Sequence, residues 1–244
     1  MPPLLVLVDY DNVDRSHKVA GPVDMAKMFV TLLPNAIVAR HQGVTVRLYG
    51  GWRNNGTLTN FAQNLVPDIH RRSPAVVVIS NSGVSQNVQL RVELAQGPIG
   101  SSTSLENTYV RNRGLRNFRS CSEPRPACAN PSSCSLQMFA DLTHATPCGN
   151  PGCNSKLADV FVRDEQKMVD TLIVADIAHQ ALSAKATDVV VVSSDTDMWP
   201  GVLLALRAGC AVTHIHTKRG WQTQLHLMKT LGGQLSRNYQ QLSV

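Results

Sequence analysis

Residues Asp188–Pro200, DVVVVSSDTDMWP, decide how the rest of the chain is read. Val189 to Val192 are four consecutive β-branched residues, the pattern of a strand buried on both faces. The apolar run stops at Ser193-Ser194-Asp195-Thr196-Asp197, and helical spacing follows from Met198 to Cys210, with Pro200 tolerable in a first turn. Two carboxylates therefore stand where a buried strand hands over to a helix. In open parallel sheets that edge, the carboxyl end of the strands, is where ligands bind. The plainer reading makes Asp197 a helix cap, since Asp is favoured there. Asp195 has no such simple account.

Working outward, the first strand ends in the same way. Leu4 to Val8 is an apolar run closed by Asp9-Tyr10-Asp11-Asn12. Two strands from opposite ends of the chain that both end in acid make one carboxylate cluster. Such a cluster repels itself unless it holds a cation, and oxygen-only donors suit Mg²⁺ or Mn²⁺. Asp170 joins the set on a helix entering the 188–192 strand. Its neighbours at i+3, i+4 and i+7 are Ile173, Val174 and Ile177, an expensive face for a carboxylate without a partner. The plainer reading pairs it with Lys167 in water, which is worth little. Asp176, on the same helix, reads more simply as a structural acid.

Between these ends, strands are expected at Val44–Tyr49 and Ala75–Ile79, and at Ala211–Ile215 after the 188–192 strand. Helices are expected at 23–33, 58–65, 164–184, 198–208 and 221–231. Val88–Leu94 alternates apolar with polar and reads as an exposed or edge strand. Strands alternating with helices predict a doubly wound, mainly parallel five-stranded α/β sheet, with the first strand beside 188–192. The alternation is broken from Gly97 to about residue 156, a stretch rich in Gly, Ser, Asn and Pro. A loop that long is functional or a small domain of its own. The expected organisation is residues 1–96 and 157–244 as one domain with 97–156 inserted.

The insertion holds five of the six cysteines. Clustered thiols in a segment without an apolar core need something to fold them, and Zn²⁺ takes four such ligands. Cys128, Cys134, Cys148 and Cys153 are the favoured set, with Cys121 or His144 as substitutes; Cys210 stands apart in an apolar stretch. Just before the cluster, Tyr109, Arg111, Arg113, Arg116, Phe118 and Arg119 interleave arginines with aromatics. That pattern suits phosphates and unpaired bases, although a solvated basic loop is the commoner meaning of a charge run.

The motifs resemble those of NYN-domain proteins, of the PIN-like nuclease superfamily. The likeness rests on Asp9-Tyr10-Asp11-Asn12 after a strand, Lys167-Met168-Val169-Asp170 opening a helix, and Ser193 to Pro200 after a second strand, in that order. Val46 to Gly50 resembles the family's second strand. The resemblance covers about residues 3–96 and 157–217, and the cysteine-rich insertion departs from it. It implies metal-dependent cleavage of phosphodiesters, usually in RNA. By position, Asp9, Asp170, Asp195 and Asp197 would be catalytic acids holding Mg²⁺ or Mn²⁺, with Asn12, Ser194 and Asp11 supporting them. Asp9-Tyr10-Asp11-Asn12-Val13 also fits the opening motif of haloacid dehalogenase-like phosphatases, with Asp9 as nucleophile and Asp11 as acid/base. Only Lys185 is in place there for that family's lysine. A third reading is a non-catalytic RNA-binding protein.

The chain has 244 residues, 43% hydrophobic content and a net charge of +6, which fit a globular protein with an anionic partner. Nucleic acid is the expected partner, RNA ahead of DNA, and self-association stays open. Pro2–Val8 is too short for a signal peptide, and no run approaches the ~20 apolar residues of a membrane span. The expectation is a cytoplasmic protein with no membrane partner.

Overall fold

The computed structural model describes residues 2–81, 84–113, 151–155, 159 and 162–244, with the backbone alone at 81, 84, 113 and 234. The chain divides into two compact units, 1–109 with 166–244, and 110–165. Among the described residues no helix is long and apolar enough to cross a membrane.

The first unit is an α/β fold. Its strands are β1 (Leu4–Asp9), β2 (Val44–Tyr49), β5 (Ala75–Asn81), β6 (Val84–Leu94), β9 (Asp188–Val192), β10 (Ala211–His216) and β11 (Tyr239–Ser243). A short hairpin, β3 (Arg53–Asn54) and β4 (Thr57–Leu58), lies between β2 and β5, and a ribbon of β7 (Tyr109–Arg113) and β8 (Val162–Gln166) leads into the second unit. The longer helices are α1 (Pro22–Thr31), α2 (Asn60–Arg72), α3 (Val169–Ala178) and α4 (Trp199–Arg207). The seven strands run in the order β11–β10–β9–β1–β2–β6–β5. All neighbours are parallel except β5 and β6.

The pleat sends alternate residues to two cores. Val6, Val8, Val190 and Val192 pack with Val23, Phe29 and Val30 of α1 and Ala62 and Ile69 of α2. Leu7, Val189 and Val191 pack on the other face with Ile173 and Ile177 of α3 and Val202 and Ala205 of α4. A strand buried on both faces has no place for a polar side chain until it ends, so the first polar residues after Val8 and Val192 fall at the sheet's carboxyl edge.

The sheet has seven strands, where five were expected. The alternating segment Val88–Leu94 is part of β6 and is not at an edge: β6 pairs with β2 on one side and β5 on the other. Its alternation reflects its two faces, with Val88, Leu90 and Val92 buried and Gln89 and Arg91 exposed. The edge position belongs to β5. At the other end β11, polar except for Tyr239 and Leu242, is recruited by pairing with β10. The helix expected over 164–184 begins only at Val169, because Val162–Gln166 pairs in the ribbon, and it widens into a π turn at His179–Ser183. The helix expected at 221–231 is one turn, Leu225–Met228. Conversely α2 runs past Pro67 to Arg72, anchored by buried Ile69.

Residues 97–109 belong to the first unit, beyond the boundary expected at Gly97. Ile99 N donates to Asp176 Oδ1 at 2.8 Å, Leu105 N to the Gln96 carbonyl at 2.7 Å, and Arg53 N to Thr108 Oγ1 at 3.0 Å.

Candidate active site

β1 and β9 are direct neighbours, with Val8 opposite Val192. The chain leaves β1 toward β2 on one side, while β9, β10 and β11 extend on the other. The strand order therefore reverses between β1 and β9, and Asp9 ends β1 at that point. Asp9 is 4% exposed. Its Oδ2 accepts from the buried Ser193 hydroxyl at 2.8 Å and its Oδ1 from Asn12 N at 3.3 Å. Ser193 Oγ also accepts from Asp195 N at 3.0 Å, so one hydroxyl ties the ends of both strands together.

Behind Ser193 lies a second polar layer. Ser194 N donates to Asn12 Oδ1 at 3.2 Å, and Thr217 N donates to Ser194 Oγ at 2.9 Å. The Thr217 hydroxyl has Asn12 O, Asn12 Oδ1 and Ser194 Oγ within 2.9–3.1 Å and one proton to give. Asn12 and Ser194 thus stand in the scaffold that joins three strand ends.

The capping expectation is corrected. The residue that caps the turn is Asp195, whose Oδ1 accepts from Asp197 N at 3.0 Å. Asp195 is partly buried, and Asp197 is exposed on the single 3₁₀ turn Thr196–Met198 that precedes α4. An Asp two residues earlier closes this turn because the tight 3₁₀ entry brings the Asp197 N–H to it.

Asp170 reaches the cluster from α3. It lies outside the apolar stripe of Val169, Leu172, Ile173 and Ile177 and is exposed. Met168, just before the helix, has φ 63°, the left-handed region that non-glycine residues rarely occupy. Met168 is the residue from which α3 starts.

The acids act on one another. Burial pushes the Asp9 carboxyl up to about 6; the hydrogen bonds from Ser193 and Asn12 oppose this, and the charges of Asp170 and Asp11 add to it. Asp11 is also raised by burial, against the pull of Lys18, the Gly51 N–H and the Gln166 side chain. Partial desolvation, then the charges of Asp195 and Asp197, raise Asp170, although its exposure lets solvent screen much of this. Lys18 stands beside the cluster: its Nζ donates to Asp11 O at 3.2 Å and sits 4.8 Å above the Tyr10 ring. Gly50 makes the close approach possible, since a Cβ there would lie 2.9 Å from Asp11 Oδ2 and 2.7 Å from the Trp52 ring.

The donor set is all oxygen and net negative, which fits a hard divalent cation. Among the described residues no three of these side chains already meet around one point as ligands. Mg²⁺ does not need such a cage, because it keeps several waters and takes one or two carboxylates plus substrate phosphate.

Asp176, read as structural, is buried and accepts from Tyr49 OH at 2.6 Å beside Arg47 Nε at 3.2 Å. Arg111 Nε donates to Asp164 Oδ1 at 2.8 Å across the β7–β8 ribbon. The Tyr109 side chain lies against Gly51, 3.1 Å from where a Cβ would stand. The side chain of Arg113, and Arg116, Phe118 and Arg119 entirely, lie outside the described residues. So do Cys121, Cys128, Cys134, His144 and Cys148; Cys153 is described and is partly buried. The sequence reading missed Lys18, Ser193, Thr217 and Gln166. Ser193 had a legible signal, being the first hydroxyl after a buried strand. Lys18 and Gln166 had none. Comparison with family models, with curated proteins and with solved structures gave no match.

Proposed function

We propose that the protein is a metal-dependent nuclease that hydrolyses phosphodiester bonds, with RNA as the expected strand. The observation that carries this reading is Asp9: a buried carboxylate at the switch point of a parallel sheet, its pKa pushed up to about 6, ringed by further acids and paired with no cation among the described residues. The resemblance of the three motifs to NYN-domain, PIN-like proteins agrees with it.

Asp9, Asp195 and the exposed Asp170 and Asp197 would share the divalent ion, with water and a substrate phosphate filling the remaining positions. When bound, the ion supplies a hydroxide from water and neutralises charge on the phosphate. Ser193 and Asn12 hold the Asp9 carboxylate in one orientation. Asp195 keeps one oxygen on its own turn and has the other for a ligand. Lys18 offers a positive charge at the rim for a neighbouring phosphate. The phosphatase reading needs Lys185 beside Asp9, but Lys185 precedes β9 at the amino edge of the sheet, opposite to the edge that carries Asp9.

The test is cleavage of end-labelled single-stranded RNA and DNA with Mn²⁺, Mg²⁺ or EDTA, by the protein and by Asp9→Asn and Asp195→Asn. Asn at 195 keeps a capping oxygen and loses the charge, so it isolates the electrostatic role. Cleavage that needs the ion and disappears in both variants is expected. Cleavage that persists in EDTA, or in both variants, overturns the reading. RNA bound but not cut by all three proteins would favour the binding protein.

A further inference from the structure

Beside Asp195, on the β10 side, is a cavity of about 30 Å³ whose walls include Asp195, Trp199, His216, Trp221 and Thr223. That volume takes one or two water-sized groups and no nucleobase. Two of its walls carry a buried polar atom with no hydrogen-bond partner among the described residues: Trp199 Nε1 and His216 Nδ1. Trp199 is 7% exposed and His216 3% exposed.

The protonation of both atoms follows from a chain of hydrogen bonds with one fixed end. His214 Nε2 lies 2.9 Å from the Ser193 carbonyl oxygen, which only accepts, so Nε2 carries the proton. Burial lowers the His214 pKa to about 4, the ring is neutral, and its Nδ1 is a bare acceptor. The Tyr239 hydroxyl, 2.8 Å away, gives its proton there. The 2.6 Å contact between the Tyr239 and Thr223 hydroxyls must then use the proton of Thr223. His216 Nε2 meets two acceptors at 3.3 Å, Thr223 Oγ1 and Gln241 Oε1. Gln241 Oε1 is the amide oxygen, since it also accepts from Thr223 N at 2.8 Å. The proton of neutral His216 therefore sits on Nε2, and Nδ1 presents a lone pair. An indole N–H has only a donor to offer.

The cavity thus lacks one acceptor for Trp199 and one donor for His216. A phosphate oxygen would meet the His216 lone pair with its own, and an ammonium has nothing for the indole N–H. A hydroxyl is the smallest organic group that satisfies both. We propose that this cavity is a subsite for the ribose 2′-hydroxyl of the nucleotide whose phosphate lies at the acids, accepting from Trp199 Nε1 and donating to His216 Nδ1. The proposal rests on the nuclease reading and deepens it: the subsite makes the enzyme select RNA, because the 2′-hydroxyl is what separates the two strands chemically. At the rim, Trp221 is 48% exposed with Lys218 Nζ 4.4 Å over its ring, a face on which an unpaired base can stack.

The test is a scan of one labelled RNA strand in which each ribose in turn is replaced by 2′-deoxyribose. Cleavage with Mn²⁺ is measured for the unaltered protein, for Trp199→Phe, which keeps an aromatic ring and removes the N–H, and for His216→Phe. Melting curves check that both variants fold. One position next to the cut bond should slow cleavage by roughly tenfold when deoxy, as two lost hydrogen bonds imply. In either variant that penalty should shrink to about twofold. Small, even effects at every position, or a penalty that both variants leave intact, overturn the subsite and leave the cavity to a bound water, with the nuclease reading standing. If the protein cuts neither strand, the nuclease reading fails, and the same scan is read as binding by fluorescence anisotropy. A single-position loss of affinity relieved in Trp199→Phe still supports the subsite, and its absence, or absence of all binding, overturns it.

Discussion

Asp9 and Asp188 stand on neighbouring parallel strands, at opposite edges of the sheet, and both are about 5% exposed or less. Asp188, opening β9, is met by Arg40 at 2.5 Å, His41 Nε2 at 3.2 Å and the Thr187 hydroxyl at 2.9 Å. Asp176, on the buried face of α3, is met by Arg47 and Tyr49. Asp9 has a serine hydroxyl, a backbone N–H and other acids. A buried carboxylate that only holds the fold together is compensated from within the chain, because an uncompensated charge is costly to bury. Asp9 departs from that rule at the edge where ligands bind, so the missing positive charge is expected from outside.

The largest expected effect lies on the compensated side. Asp176→Ala leaves the Tyr49 hydroxyl and the Ile99 N–H without their acceptor, takes one of two carboxylates from Arg47, which keeps Glu93, and should cost about 3–5 kcal/mol in urea denaturation. A loss under about 1 kcal/mol would break the contrast. On the other side the sign reverses. The folded pKa of Asp9, about 6, is above the ordinary 3.8, so the folded state holds this proton more tightly than the unfolded. The stability this gives is full below pH 3.8 and is lost as the pH rises through about 6. Ionised Asp9 then costs about 3 kcal/mol at pH 7. Asp9→Asn should therefore gain up to that amount at pH 7 and almost nothing at pH 3.5. A gain equal at both pH values would show that charge is not its cause.

Mn²⁺ sharpens the same contrast. At a hundredfold excess over its Kd it should stabilise the protein by about 2.7 kcal/mol and leave Asp9→Asn unmoved in parallel melts. Equal shifts in both would place the ion elsewhere. The smallest effect concerns Met168. Glycine accepts its φ of 63° without strain, so Met168→Gly should be neutral to about 1 kcal/mol more stable by denaturant midpoint. A loss of more than that would mean the exposed methionine side chain contributes packing.

Much of the candidate site was legible because the code is local. A β-branched run that ends in acid announces both a buried strand and a carboxylate at its edge, and it does so at Val8–Asp9 and again at Val192–Asp195. The adjacency of β1 and β9 followed from alternation of strands and helices. What failed was reading contacts between distant segments from either one alone. Val88–Leu94 has the alternation of a strand with one polar face, and alternation cannot tell an edge from an interior. Tyr239–Ser243 carries little strand propensity and pairs because β10 offers it a free edge. Asp195 was assigned no capping role, since the tight turn that brings Asp197 N to it is made by the packing of α4.

The sequence by itself determined the class of fold, the edge of the sheet that carries the acids, and the identity of those acids, because burial of apolar runs leaves polar residues only at strand ends. The tertiary structure alone decided that Ser193 is the group that orients Asp9, that Lys18 lies beside the cluster, and that Trp199 and His216 face one small cavity with an unmatched donor and acceptor. Those relations join residues far apart in the chain, and their protonation follows from hydrogen bonds that exist only once β10 and β11 lie side by side.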